Sequence, residues 1–225
     1  MNKIIQSLVK EVVQLEVSGK NFLNGTVIDL GTDTIVLFNG TEFMYIPLEH
    51  IQNFKVDRDN DDNIEAPTEF PSIIPEEDNE ELSFRKVLTL AQGTYVEINV
   101  TGGKPLHGYI TSIKDNYFVF QSPVYKTMYI SLNHLKWLIP YAQNEIPYGL
   151  DGAPITLQLN DESLAGTFEG QLEKFKNEIV VFNVGEHKSH IGKITNVEEQ
   201  IVEIQAARKQ SAYVNMNHVK TLHQV

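Results

Sequence analysis

Apolar and polar residues alternate in three short stretches: at Val13, Leu15 and Val17, at Val96, Ile98 and Val100, and at Val180, Phe182 and Val184. A period of two puts each set on one face of a half-buried β-strand. Ahead of each strand the apolar spacing widens to three and four. Ile4, Ile5, Leu8, Val9 and Val12 show it first, then Phe84, Val87, Leu88 and Ala91, then Phe168, Leu172 and Phe175. That spacing predicts a short amphipathic helix before every strand. Turn residues follow, Ser18-Gly19-Lys20, Gly102-Gly103-Lys104 and Gly185-Glu186-His187, and they predict a hairpin.

The second strand of each hairpin carries its apolar pair three residues apart: Val27 and Leu30, Ile110 and Ile113, Ile194 and Val197. A regular strand cannot keep such a pair on one face, so a bulge or sharp bend is expected there. A third strand is predicted through Ile35 and Leu37, Phe118 and Phe120, and Val202 and Ile204. In the first copy, residues 44–48 and 51–56 supply two last strands around a one-turn break at Glu49-His50. Pro47 has no N–H for a ladder, which predicts an edge position for its strand.

The elements therefore recur. Residues 44–54 (MYIPLEHIQNF), 128–138 (MYISLNHLKWL) and 212–222 (AYVNMNHVKTL) share one pattern of tyrosine, apolar residues and histidine. Tyr45, Tyr129 and Tyr213 lie 84 residues apart in both steps, as do His50, His134 and His218. Gly25, Gly108 and Gly192 open equivalent strands at steps of 83 and 84. Self-similarity at a fixed period identifies tandem copies of one structural unit.

The expected fold is mainly β: three tandem small Sm-like (SH3-like) five-stranded barrels, each with a short N-terminal helix. The copies are placed at 1–57, 79–141 and 165–225. Residues 58–78 form an acidic, proline-containing linker, and 142–164 a second linker in which 155–159 (ITLQL) reads as an extra strand. A barrel this small buries little core alone, and copies that pack together ease that limit.

Charge sharpens the picture. The formal net charge is −12. Residues 57–81 hold eleven acidic side chains and one basic, Arg58, which leaves about −2 for the other 200 residues. The acidity sits in the first linker, which reads as extended and self-repelling. Phosphate backbones meet no basic surface, so nucleic-acid binding is disfavoured. No apolar run reaches the length of a membrane span, so no membrane contact is expected. There is no cysteine, which excludes disulfides, thiolate metal sites and thiol nucleophiles.

Candidate chemistry is sparse. His50, His134 and His218 would make a competent zinc set if three imidazoles converged. A residue repeated in every copy is more simply a turn histidine of the shared fold, so no metal and no cofactor are expected. Tyr45, Tyr129 and Tyr213 could stack nucleobases, but with no basic residues between them they are expected to line the barrels or the contacts between barrels. The run at 57–62 (DRDNDD) lacks the glycine and distal glutamate of a calcium loop. No nucleophile elbow, phosphate loop or zinc-protease motif is present, so the chain is not expected to be an enzyme. The exposed edge of a sheet is a template for another strand. Association of the repeats edge to edge, or of terminal edges with partners, is expected instead.

TGGKPLHGYI at 101–110, YIPLEHIQNF at 45–54, YISLNHLKWL at 129–138 and YVNMNHVKTL at 213–222 give the chain a resemblance to the spore coat protein B family of endospore-forming bacteria. That resemblance implies a non-catalytic structural component of the spore coat, made in the mother-cell cytoplasm. It also implies contacts with other coat proteins or with itself through edge strands. The Ser/Lys-rich tail of that family has no counterpart in residues 1–225, so the resemblance implies nothing about phosphorylation. The alternative the residues leave open is an Sm-like nucleic-acid-binding or general interaction adaptor.

Overall fold

In every repeat, alternation becomes strand and the spacing of three becomes a bend. The computed structural model describes residues 3–68, 71–73, 81–101, 103–142, 145–150, 163–186, 190–208 and 210–224. The first repeat holds α1 (Lys3–Gln6), β1 (Val12–Val17), β2 (Asn21–Leu30), β3 (Thr34–Phe38), β4 (Phe43–Pro47) and β5 (Ile51–Val56). The second holds α2 (Phe84–Leu90), β6 (Tyr95–Asn99), β7 (Leu106–Ile113), β8 (Tyr117–Ser122), β9 (Lys126–Ser131) and β10 (Trp137–Pro140). The third holds α3 (Phe168–Lys174), β11 (Ile179–Phe182), β12 (His190–Glu198), β13 (Ile201–Gln205), β14 (Ser211–Asn215) and β15 (Thr221–Gln224). The chain is mainly β, with a short helix opening each repeat. The strand expected at 155–159 lies outside the described residues.

Two compact units divide the chain: residues 1–98 with 136–146, and residues 99–135 with 147–225. The middle repeat is shared between them. In the first unit the hydrogen-bonded order is β6-β10-β4-β3-β2-β1-β5. Its core gathers Val13, Leu15 and Val17 of β1, Val27, Ile35, Leu37 and Ile46 of the neighbouring strands, and Trp137 and Ile139 of β10. In the second unit the order is β7-β8-β9-β15-β11-β12-β13-β14. Here Phe168, Leu172 and Phe175, the helical positions of the third repeat, pack with Val180, Phe182, Ile194 and Ile204.

The predicted bends are present. Register shifts fall between Val27 and Asp29, between Ile110 and Ser112, and between Ile194 and Asn196. An extra residue on one strand turns the apolar pair back to the core face. The repeated glycines follow from the same bend. A Cβ on Gly25, Gly108 or Gly192 would lie 2.6, 2.1 or 2.8 Å from the carbonyl oxygen of Phe38, Gln121 or Gln205. Only a residue without a side chain lets the two backbones approach that closely.

Three expectations need correction. The sheets do not close on themselves. Within the first and third repeats the strands run in the order five, one, two, three, four, and β5 pairs with β1 alone among the described strands. Nor does Pro47 mark an edge strand, because β4 lies between β3 and β10. Pro47 is tolerated as the last residue of its strand, where a missing donor costs one bond. Part of the acidic linker also departs from an extended tether: Ile64 and Ile73 are buried.

Candidate functional site

The repeats are joined by one arrangement, made once in each unit. In the first unit the turn before β3 reaches the start of α2. The Thr32 N–H donates to the Leu82 carbonyl at 2.8 Å, and the Phe84 N–H donates to Asp33 Oδ1 at 2.7 Å. Asp33 thus satisfies an otherwise unpaired donor at a helix start, while Ser83 accepts from the Lys86 N–H in the usual capping position. Beyond it, β10 adds antiparallel to β4 with Leu138 opposite Tyr45. Tyr45 is fully buried, and its hydroxyl donates to the Ile73 carbonyl at 2.9 Å and accepts from the Ile73 N–H at 3.1 Å.

The second unit repeats the join. The Asp115 N–H donates to the Gly166 carbonyl at 3.0 Å, the Phe168 N–H to Asn116 Oδ1 at 2.7 Å, and the Tyr117 hydroxyl to the Ala165 carbonyl at 2.7 Å. β15 adds antiparallel to β9 with Leu222 opposite Tyr129. The Ser131 N–H donates across to the Lys220 carbonyl at 3.0 Å. Pro47, at the equivalent place, has no such donor. Strand addition supplies directional backbone bonds, and the covered aromatic residues supply apolar area.

The third repeat presents the same surface uncovered. Among the described strands β14 pairs only with β13. Tyr213 is 69% exposed, against 0% for Tyr45 and 7% for Tyr129. Ile201 is 40% exposed where Thr34 and Tyr117 are fully buried. A groove of about 290 Å³ runs along this edge, lined by Asn196, Glu198, Glu199, Ile201, Glu203 and Tyr213. Stepping back by the repeat interval, these positions become Asp29, Gly31, Thr32, Thr34, Val36 and Tyr45 of the first repeat. One exchange stands out: Val36 and Val119 are buried, and Glu203 replaces them. At the opposite end of the repeat series, β5 has no neighbour beyond β1 among the described strands, whereas β10 and β15 are bonded on both sides.

The tyrosines single out this surface, although the sequence does not show that two are covered and one is open. Asp33 and Asn116 were missed as joining residues. The available signal was an aspartate or asparagine one place before the third strand in two copies, against Gln200 in the last.

The three histidines have different surroundings. His50 is buried, with Nδ1 3.1 Å from the Ser18 hydroxyl and no hydrogen-bond partner at Nε2. Burial holds its imidazole below the ordinary pKa, and the Lys136 ammonium adds to the effect. His134 places Nε2 2.9 Å from the Asn217 carbonyl. His218 is exposed, and its carbonyl accepts from Asn183 Nδ2 at 3.0 Å. Among the described residues no three His, Asp or Glu side chains are grouped to hold a metal ion. No helix among them is long and apolar enough to cross a membrane.

Known proteins resemble this chain in sequence. A family described as the YwrJ third domain matches residues 167–222, which run from the cap of α3 into β15. The whole chain is 36% identical over 217 residues to the uncharacterized protein YwrJ of Bacillus subtilis strain 168, covering 94% of each sequence. The match is to YwrJ; the likeness to spore coat protein B remains a resemblance of short motifs.

Proposed function

The chain belongs to the YwrJ family, and we propose that it is a non-catalytic assembly protein that joins partners by strand addition, as a structural component of the endospore coat. The observation that carries the assembly role is the open β14 edge with its groove, on a surface that the two preceding repeats keep covered. The strand order of each repeat and the bent second strand support reading the repeats as Sm-like units. Such units meet through their fourth and fifth strands, the contact made between β4 and β10 and between β9 and β15. The spore address rests on the resemblance to coat protein B.

Carboxylates at this edge favour a protein partner over a nucleic acid. Glu198, Glu199 and Glu203 surround Tyr213, and a phosphate backbone brought there would meet like charge.

The test is a fluorescent fusion expressed in sporulating Bacillus subtilis, as wild type and as Tyr213→Pro. The Ser131 N–H points across its join, and Tyr213 lies two residues before the equivalent of Ser131, so its N–H faces outward as well. Proline there removes an outward donor and the ring while sparing the bonds to β13. The wild type is expected on the forespore surface and the variant in the mother-cell cytoplasm. Diffuse signal from both proteins throughout sporulation would refute the coat assignment.

A further inference from the structure

We infer that the open edge of the third repeat receives the first repeat of a second copy of this chain, with β5 of that copy adding antiparallel to β14. The inference rests on the assembly reading and names its partner. The chain makes this join twice internally, each time between the fourth strand of one repeat and the fifth strand of the next. Among the described strands, one fourth strand, β14, and one fifth strand, β5, have no such neighbour. The two are complementary halves of a contact already present in the molecule, so a second copy supplies what each lacks.

The register follows from the repeat interval. Leu138 faces Tyr45 and Leu222 faces Tyr129, and the corresponding residue of the first repeat is Phe54. Phe54 therefore comes opposite Tyr213, pairing two aromatic rings on one face of the ladder. Phe54 is only partly buried in its own repeat, which leaves apolar surface for the contact. The helix that opens the joining repeat lies against the turn before the third strand, as the Phe84 and Phe168 bonds show. In the second copy that helix is α1, which comes to the turn before β13. The contact is heterologous, so each added copy leaves a new β14 open, and growth ends in a ring or continues as a filament.

Sedimentation velocity of the full chain tests this directly. Wild type is expected to gain mass with concentration. Tyr213→Pro and Phe54→Glu each spoil one half of the contact, and each alone is expected to associate at least tenfold more weakly. Mixed together they are expected to form dimers that grow no further, because one intact β5 meets one intact β14. Far-ultraviolet circular dichroism and Trp137 emission confirm folding, and Phe54→Ala replaces Phe54→Glu if the latter unfolds. A wild type that stays monomeric up to roughly millimolar concentration overturns the inference, and leaves assembly with a different protein intact. Variants that associate like wild type, or a mixture that forms no dimer, overturn it too.

Discussion

Removing one oxygen from Tyr45 tests how strongly its buried hydroxyl holds the linker at Ile73. Tyr45→Phe keeps the ring in place and takes away the hydroxyl that both donates to and accepts from Ile73. Ile73 is 6% exposed, so water reaches its orphaned N–H and carbonyl poorly. A buried group left without its partner costs about 1–3 kcal/mol. With two such groups affected, the loss is at least about 2 kcal/mol. At a urea slope of about 2 kcal/mol per molar, that moves the unfolding midpoint down by about 1 M. Trp137 is the single tryptophan and is buried in the same unit, so its emission reports this transition.

The phenol gives a second reading. Burial, reinforced by Asp29 and opposed by the Ile73 backbone bond, pushes Tyr45 from 10.0 up to about 12. The folded form prefers the protonated phenol, so this contribution is intact below pH 10 and is lost as pH rises toward 12. Tyr45→Phe should lack that alkaline loss. The control is Tyr213→Phe, whose hydroxyl lies 3.4 Å from Glu203 on an exposed ring. It should change stability by less than about 0.5 kcal/mol. A Tyr45→Phe protein with the wild-type urea midpoint and the wild-type alkaline limb would refute the reasoning.

Gly108→Ala would place a Cβ 2.1 Å from the Gln121 carbonyl oxygen. Backbone has to move, so a loss near or above the upper end of about 1–3 kcal/mol is expected in thermal melts, where glycine replacement in an ordinary strand would stabilise. Asn116→Ala removes the acceptor of the Phe168 N–H and should cost about 1 kcal/mol. Gln200→Ala, at the equivalent place in the third repeat, should cost less than about 0.5 kcal/mol. Because burial, helped by Lys136, lowers the His50 pKa in the folded protein, its contribution is complete above about pH 6.5. It declines as pH falls through that value and levels off below the depressed folded pKa. Melting temperatures from pH 7.5 down to about 5 should show the decline, and His50→Asn should flatten it.

The local elements were legible because each depends on neighbours in the chain. Alternation at Val13, Leu15 and Val17 specifies a strand face, the three-residue spacing at Val27 and Leu30 forces a bulge, and the 84-residue interval reveals the copies. Pro47 misled because its missing N–H limits one bond and does not choose the strand's neighbours. The acidic linker misled because its charge was read as one property, whereas Ile64 and Ile73 within it find apolar burial.

The sequence by itself determined what each copy is: a helix, a bent hairpin and three further short strand segments, with glycine wherever two backbones cross closely. Which edges meet was settled in three dimensions. Backbone donors and acceptors are the same in every residue but proline, so strand addition leaves little mark on composition. Tyr45 and Tyr213 read alike in the chain, yet one is sealed beneath the next repeat and the other stands in water. Only the tertiary structure, which buries Tyr45 and leaves β14 without a second neighbour among the described strands, makes Tyr213 a surface for something else.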